Sequence, residues 1–216
     1  MIKVLIILSC VVLVSCAPPN EVPSDNLVER QGTFYEVNSQ TPFTGIAVEY
    51  KYGKTSKKSF KDGELDGLSE KFYGNGQLQS KTNYKNGKKD GVAEDYYRNG
   101  QLSSITGYKD GILDGLWDMY YENGQLKSKS NTKDGSFDGN HELYHKNGQL
   151  KWKTNFKDGK QTGLSEKFYE NGQLAARENH KDGKRFGVSE IFDEDGNLTE
   201  TMTFRKGVPV ESNWNP

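Results

Sequence analysis

The stretch "YENGQLKSKSNTKDG", residues 121–135, decides how the chain is read. Its core Asn123-Gly124-Gln125-Leu126 recurs at 75–78, 99–102, 147–150 and 171–174, a constant spacing of 24 residues, and a drifted copy, Asp195-Gly196-Asn197-Leu198, follows at the same interval. Two further glycine series keep the period: 63, 87, 111, 135, 159, 183 and 207, mostly in Lys-Asp-Gly, and 67, 91, 115, 139, 163 and 187. Between the glycines lie two runs of six to eight residues per unit, rich in Tyr, Phe and Thr, such as Leu116–Tyr121 and Gln125–Thr132. Runs of that length and composition are strand-sized, and no unit leaves room for a helix. Asn-Gly between two strands predicts a two-residue hairpin turn, because both residues tolerate φ > 0. The expected fold class is all-β: an elongated single-layer antiparallel β-meander of tandem 24-residue β-hairpin repeats.

Strand alternation sorts each run into two faces. Even positions carry Leu68, Val92, Leu116, Leu164 and Val188, then Phe72, Tyr96, Tyr120, Tyr144, Phe168 and Phe192, with Tyr84, Tyr108, Phe156 and Phe204 in the second runs. They are expected to share one apolar face. One unit buries about four large side chains at roughly 1.5–3 kcal/mol each, against roughly 1–2 kcal/mol of backbone ordering per residue. A lone unit therefore cannot fold, and stacking is required. The identical turn in each copy keeps the register from slipping.

This pattern resembles the MORN-variant repeat over roughly residues 45–207, and in particular the YwqK-type antitoxins of bacterial toxin–antitoxin modules. The resemblance implies the hairpin-array fold, a non-catalytic interaction role, and in its sharper form an antitoxin- or immunity-type function. Three departures stand out. The first copy reads Tyr52-Gly53-Lys54 and has a tighter turn, with residues 33–44 expected as an opening strand that caps the array. The fourth boundary has Thr132 where an aromatic belongs and Asn140 where Leu or Val belongs, so residues 131–141 are expected to be the least stable, unless Phe137 fills the gap. Thr162 and Phe186 replace an Asp.

Residues 1–16 read as an export signal: Lys3, an apolar run to Val14, then Leu13-Val14-Ser15-Cys16. That tetrapeptide resembles the bacterial lipobox, which implies acylation of Cys16 with palmitate-type chains and cleavage before it. An ordinary secretory signal with an incidental cysteine is the alternative. Residues 17–30 carry three prolines and read as a flexible tether, and 31–216 as the repeat domain with short terminal caps. The expected location is extracytoplasmic, lipid-anchored to a bacterial membrane, the outer membrane in a Gram-negative host. Cys10 and Cys16 are the only cysteines, so disulfides and Cys-based zinc sites are not expected in the mature chain. A formal charge of −1 gives no bias toward nucleic acid. Mean hydropathy is −0.88 while aromatics reach 12%, a content that disfavours disorder.

No catalytic constellation is legible, and neither a cofactor nor a metal is expected. The acidic column Glu70, Glu94, Asp118, Glu142, Glu166 and Glu190 is regular, with members about 9–10 Å apart across two strands. That spacing lies within the carboxylate separation of inverting glycosidases, yet cross-strand partners are the plainer reading. His141 and His145 would lie about 13 Å apart on a strand, too far to share a metal. The odd positions are mostly polar except for Ile105, Trp117, Met119, Tyr121 and Leu143. Such a cluster on a polar face points to a protein partner, a toxin or an envelope protein. Cover by the tether or by the C-terminal tail, Val208–Pro216 with Trp214, stands beside it as an explanation. The second class of function is a lipid- or envelope-polymer-binding surface protein.

Overall fold

The computed structural model describes residues 20–214. Cys16, the expected export signal of residues 1–16, and residues 17–19 lie outside the described residues. One antiparallel sheet runs from Gly45–Lys51 to Val208–Trp214, each strand pairing with the next in chain order, and Glu21–Pro23 adds a sixteenth, parallel strand beside Gly45–Lys51. The meander predicted from the spacing is the fold. A separate hairpin, Leu27–Arg30 with Thr33–Glu36, lies over the first edge.

Both N-terminal expectations need correction. Glu21–Pro23 and Leu27–Arg30 are paired strands joined by a single turn at Ser24–Asn26, not a flexible tether, because Val22 and Leu27 pack beside Phe43, Ala47 and Phe60. Thr33–Glu36 does not open the array but belongs to the capping hairpin, where Phe34 lies 5.0 Å from the Phe60 ring and bonds Gly63 through its backbone.

The turns divide the labour differently from the expectation. The two-residue turn with φ > 0 at both positions is the Asp-Gly or Asn-Gly of the Lys-Asp-Gly series, as at Asp110 (φ 50°) and Gly111 (φ 86°). At Asn-Gly-Gln-Leu only the glycine has positive φ, and the loop closes through Tyr73 N–H to Gln77 O and Gly76 N–H to Tyr73 O. Here the asparagine has another role. Asn123 Oδ1 accepts the Gln125 N–H (3.1 Å) while its Nδ2 donates to Lys146 O of the next unit (3.2 Å), and the other four copies repeat this. The preceding tyrosine adds a second tie: Tyr73, Tyr97, Tyr121 and Tyr169 each donate their hydroxyl to a carbonyl 23 residues on. Asp66 accepts from the backbone N–H of Asn86, and Asp90, Asp114 and Asp138 from that of the next Asp-Gly turn. Thr162 and Phe186 bring no carboxylate to that place.

Register overturns the single apolar face. Ser69 faces Thr82 and Glu70 faces Lys81, so even positions of one strand share a face with odd positions of the next. Leu68, Val92, Leu116, Leu164 and Val188 thus lie on the opposite face from Tyr84, Tyr108, Phe156 and Phe204, and they are 39–51% exposed. The face under the N-terminal hairpin is termed the cap face, and the other the ladder face.

Candidate partner-binding face

On the ladder face the acidic column meets a basic one. In cross-strand order stand Lys57, Glu70, Lys81, Glu94, Ile105, Asp118, then Lys129, Glu142, Lys153, Glu166, Arg177 and Glu190. Lys81–Glu94 is 2.9 Å and Lys153–Glu166 2.7 Å, and Arg177 pairs with Glu190. Burial pushes the Glu94 carboxyl up, but the Tyr96 hydroxyl and the Lys81 ammonium outweigh it and hold the group below its ordinary value. Tyr144, partly buried and donating to Glu142 at 2.6 Å, is pushed up to about 12. Glu94, Glu166 and Glu190 thus have basic cross-strand partners, and Asp118 accepts from the Ser130 N–H across the strand. Ile105 is the interruption: Asp118 keeps only Lys129 beside it, and burial raises its carboxyl.

The cap face is built from small residues covered by large ones. The strand Leu126–Lys133 presents Ser128, Ser130 and Thr132, which are 3%, 3% and 6% exposed although they lie on a single sheet. They are covered from both sides. Trp117 on the preceding strand stacks on Phe137 of the following one, with centroids 5.6 Å apart and planes 6° apart. Phe137 also meets Phe156 (5.3 Å) and the edge of His141 (5.0 Å), and His141 meets Trp152 (5.3 Å). Trp152 Nε1 donates to Ser165 Oγ at 2.8 Å and covers it almost completely. Phe137 faces Thr132 in the ladder, so the missing aromatic at 132 is replaced from across the strand. The gap expected at Thr132 is thereby filled by Phe137.

Of the five residues predicted for partner binding, Trp117, Met119 and Leu143 share this face and belong to adjoining units. Ile105 does not: it pairs with Glu94 and Asp118 on the ladder face, and Ser104 takes the place facing Met119. Tyr121 does not either. It lies in the turn and donates to Tyr144 O at 2.8 Å, the inter-unit tie described above. His145 fills the same place with Nε2 3.0 Å from Phe168 O, which requires a proton on that nitrogen. Phe137, His141, Trp152 and Phe156 are the members that the sequence reading missed. Trp152 was detectable, since the equivalent second-strand positions hold Ser80, Ser104, Ser128 and Ala176.

His141 Nδ1 lies 2.7 Å from Ser130 Oγ, and burial lowers its imidazole. This is a Ser–His contact, but the serine oxygen lies beneath the rings, and a reacting carbonyl would have to displace them to reach it. The described parts of the two candidate covers do not lie over the cluster. Glu21–Arg30 packs at the first edge, and Val208–Trp214 is the last strand, paired with Leu198–Arg205. Among the described residues no group of three or more His, Cys, Asp or Glu is placed to hold a metal ion.

A register repeating every 24 residues, with side chains tying each turn to the next, defines a tandem β-hairpin repeat protein. The model of the MORN repeat variant family matches five consecutive copies, residues 65–86, 89–110, 113–134, 137–158 and 161–182, and the chain belongs to that family. No curated protein matches the chain.

Proposed function

We propose that the protein is a non-catalytic scaffold, anchored by lipid at Cys16 to a bacterial envelope membrane, that binds a protein partner through the central cap face. The observation that carries this reading is the apolar patch of Trp117, Met119, Phe137, Leu143 and Trp152, with Glu21–Arg30 and the strand Val208–Trp214 engaged elsewhere. Aromatic and Met side chains on an otherwise polar face are what protein interfaces use as anchors. In its sharper form the partner is a toxin arriving in the envelope, which the array occludes as an antitoxin- or immunity-type protein of the YwqK kind. Export suits protection at the envelope better than neutralisation in the cytosol. Polymer binding is the weaker reading, because stacking on a sugar needs an exposed ring face, whereas Trp117 and Phe137 turn their faces to each other.

The test is capture of partners from envelope extracts by the full chain and by the double variant Trp117→Ser with Met119→Lys, which copies Ser69 and Lys71. The expected result is a folded variant whose capture falls at least tenfold, the scale of one hot spot. A folded variant that captures at full strength would place binding elsewhere. In parallel, Cys16→Ser should abolish palmitate labelling and membrane retention, because each buried CH₂ of an acyl chain supplies about 0.8 kcal/mol. Labelling that persists would remove the lipoprotein assignment.

A further inference from the structure

The first hairpin of the array differs from all those after it. Its strands Gly45–Lys51 and Lys54–Lys61 are joined by Tyr52-Gly53 alone, with φ of 52° and 71°. At the first position of six equivalent tight turns the chain uses Asp62, Asn86, Asp110, Asp134, Asp158 and Asp182, with φ between 47° and 53°, while Gln31 and Lys206 take the place in the capping hairpin and in the last turn. Asp and Asn tolerate the left-handed region, whereas a bulky aromatic there is strained. Tyr52 therefore occupies a costly conformation, and it is the only aromatic among the described residues to do so. Packing does not repay the cost: Tyr52 is 90% exposed and Tyr50 76% exposed. Lys51 lies over the Tyr52 ring at 5.5 Å, and Lys54 follows the turn. Opposing charges are close but engaged, with Glu21 paired to Lys57 at 2.9 Å and Glu49 accepting from Ser56 at 3.4 Å.

The position of this tip relative to the chain start suggests its occupant. Asn20 O accepts the Ile46 N–H at 2.7 Å, so the start of the described chain is fixed beside Gly45–Lys51 at the first edge of the sheet. Cys16 lies four residues before Asn20, which can span at most about 14 Å. The strand from Ile46 to the Tyr52 turn extends about 20 Å at the usual strand rise. A lipid at Cys16 therefore holds the first edge against the bilayer, with the anchor near one end of that strand and the tyrosine tip at the other.

We propose that the tip Tyr50-Lys51-Tyr52-Gly53-Lys54 docks in the interface of an anionic lipid bilayer and, with the anchor, fixes the sheet edge-on to the membrane. The inference rests on lipid attachment at Cys16. Tyrosine rings favour the headgroup level, where an apolar body and a polar end are both accommodated, and lysines there are drawn to anionic lipid. With two contacts along the first strand, the later strands stack away from the bilayer at about 4.8 Å each. That carries the Trp117 patch outward and leaves it accessible.

The experiment places the full, palmitate-labelled chain in vesicles of phosphatidylethanolamine and phosphatidylglycerol with bromine-labelled acyl chains. Tyr52→Trp keeps an aromatic at the tip, and Asp195→Trp places one in a turn near the far end. The emission that each variant adds over the parent chain is compared. Brominated lipid should quench roughly half or more of the added emission from position 52 and almost none from position 195, as interfacial insertion requires. Equal, weak quenching at both positions in a palmitate-labelled chain overturns the tip contact and leaves the anchor standing. Failure to take up palmitate overturns the anchor, and the edge-on arrangement with it. Tyr52→Asn should raise the melting temperature while the tip loses lipid contact, and a drop in melting temperature would mean that Tyr52 serves the fold.

Discussion

Two regions of the sheet share a backbone and differ in what they carry. In the unit around Glu64–Phe72 and Leu78–Lys85 the cap face bears Ser69, Lys71, Ser80 and Thr82. Two units on, in Ile112–Tyr120 and its neighbours, the same positions hold Trp117 and Met119, then His141, Leu143 and Trp152. The bulge falls at the same place, between Lys71 and Phe72 in one and Met119 and Tyr120 in the other. The turn ties also match, Asn75 to Arg98 O and Asn123 to Lys146 O. The fold is thus held at the turns and along the ladder, which frees the cap-face positions to specialise. That freedom is incomplete, because Trp117 and Phe137 also cover Ser130 and Thr132.

The largest effect should come from removing that cover. Phe137→Lys, which copies Lys89, strips the ring that packs on Trp117, His141 and Phe156. A loss of about 2 kcal/mol is expected for a half-buried phenyl group with its aromatic contacts. In a quasi-one-dimensional array the loss stays local. Hydrogen exchange should accelerate at residues 128–132 and remain unchanged at 80–84. Unchanged protection at 128–132 would show that the strand holds itself and that the cluster is free for binding alone.

A smaller effect should treat the two regions alike. Asn123→Ala removes both the intra-turn and the inter-unit hydrogen bond, as Asn75→Ala does in the plain unit. At exposed loops about 1 kcal/mol is expected in each case. If the two variants differ by a factor of two or more in unfolding free energy, the turns are not equivalent supports.

How much of this was legible follows from which contacts repeat. The hairpins, their period and their order were readable, because Asn-Gly-Gln-Leu and Lys-Asp-Gly must reverse the chain at fixed intervals. The face assignment was not. Parity within a strand says nothing of parity between strands, and the pairing of Ser69 with Thr82 depends on how many residues each turn consumes. That one unknown placed Ile105 beside Met119 and left Leu68 in a core it does not enter. Tyr121 looked like a surface aromatic because its partner, the Tyr144 carbonyl, is backbone and leaves no mark in the sequence. Trp117, Met119 and Leu143 were placed together correctly, since all three belong to first strands separated by whole repeats.

The smallest effect concerns pH and separates the two regions by their histidines. His141 is surrounded by Phe137, Trp152 and Phe156 and bonded to Ser130, and burial lowers its imidazole. His180 lies in a plain unit beside Glu178 and Arg185, and burial is again the main cause of its lowered value. In the unfolded chain each titrates near the ordinary value of about 6.5. Below that pH the unfolded state binds protons that the folded state still refuses. Stability is therefore complete above about 6.5 and declines as pH falls through the lowered folded values. The loss should be measurable by pH 5 at both histidines. Exchange rates corrected for intrinsic chemistry should show residues 128–143 opening more readily at pH 5 than at pH 7 in the parent chain. In His141→Phe that difference should vanish, while the one around residues 178–185 persists. If the central difference survives the substitution, protonation elsewhere loosens the cluster, and His141 is only a packing residue.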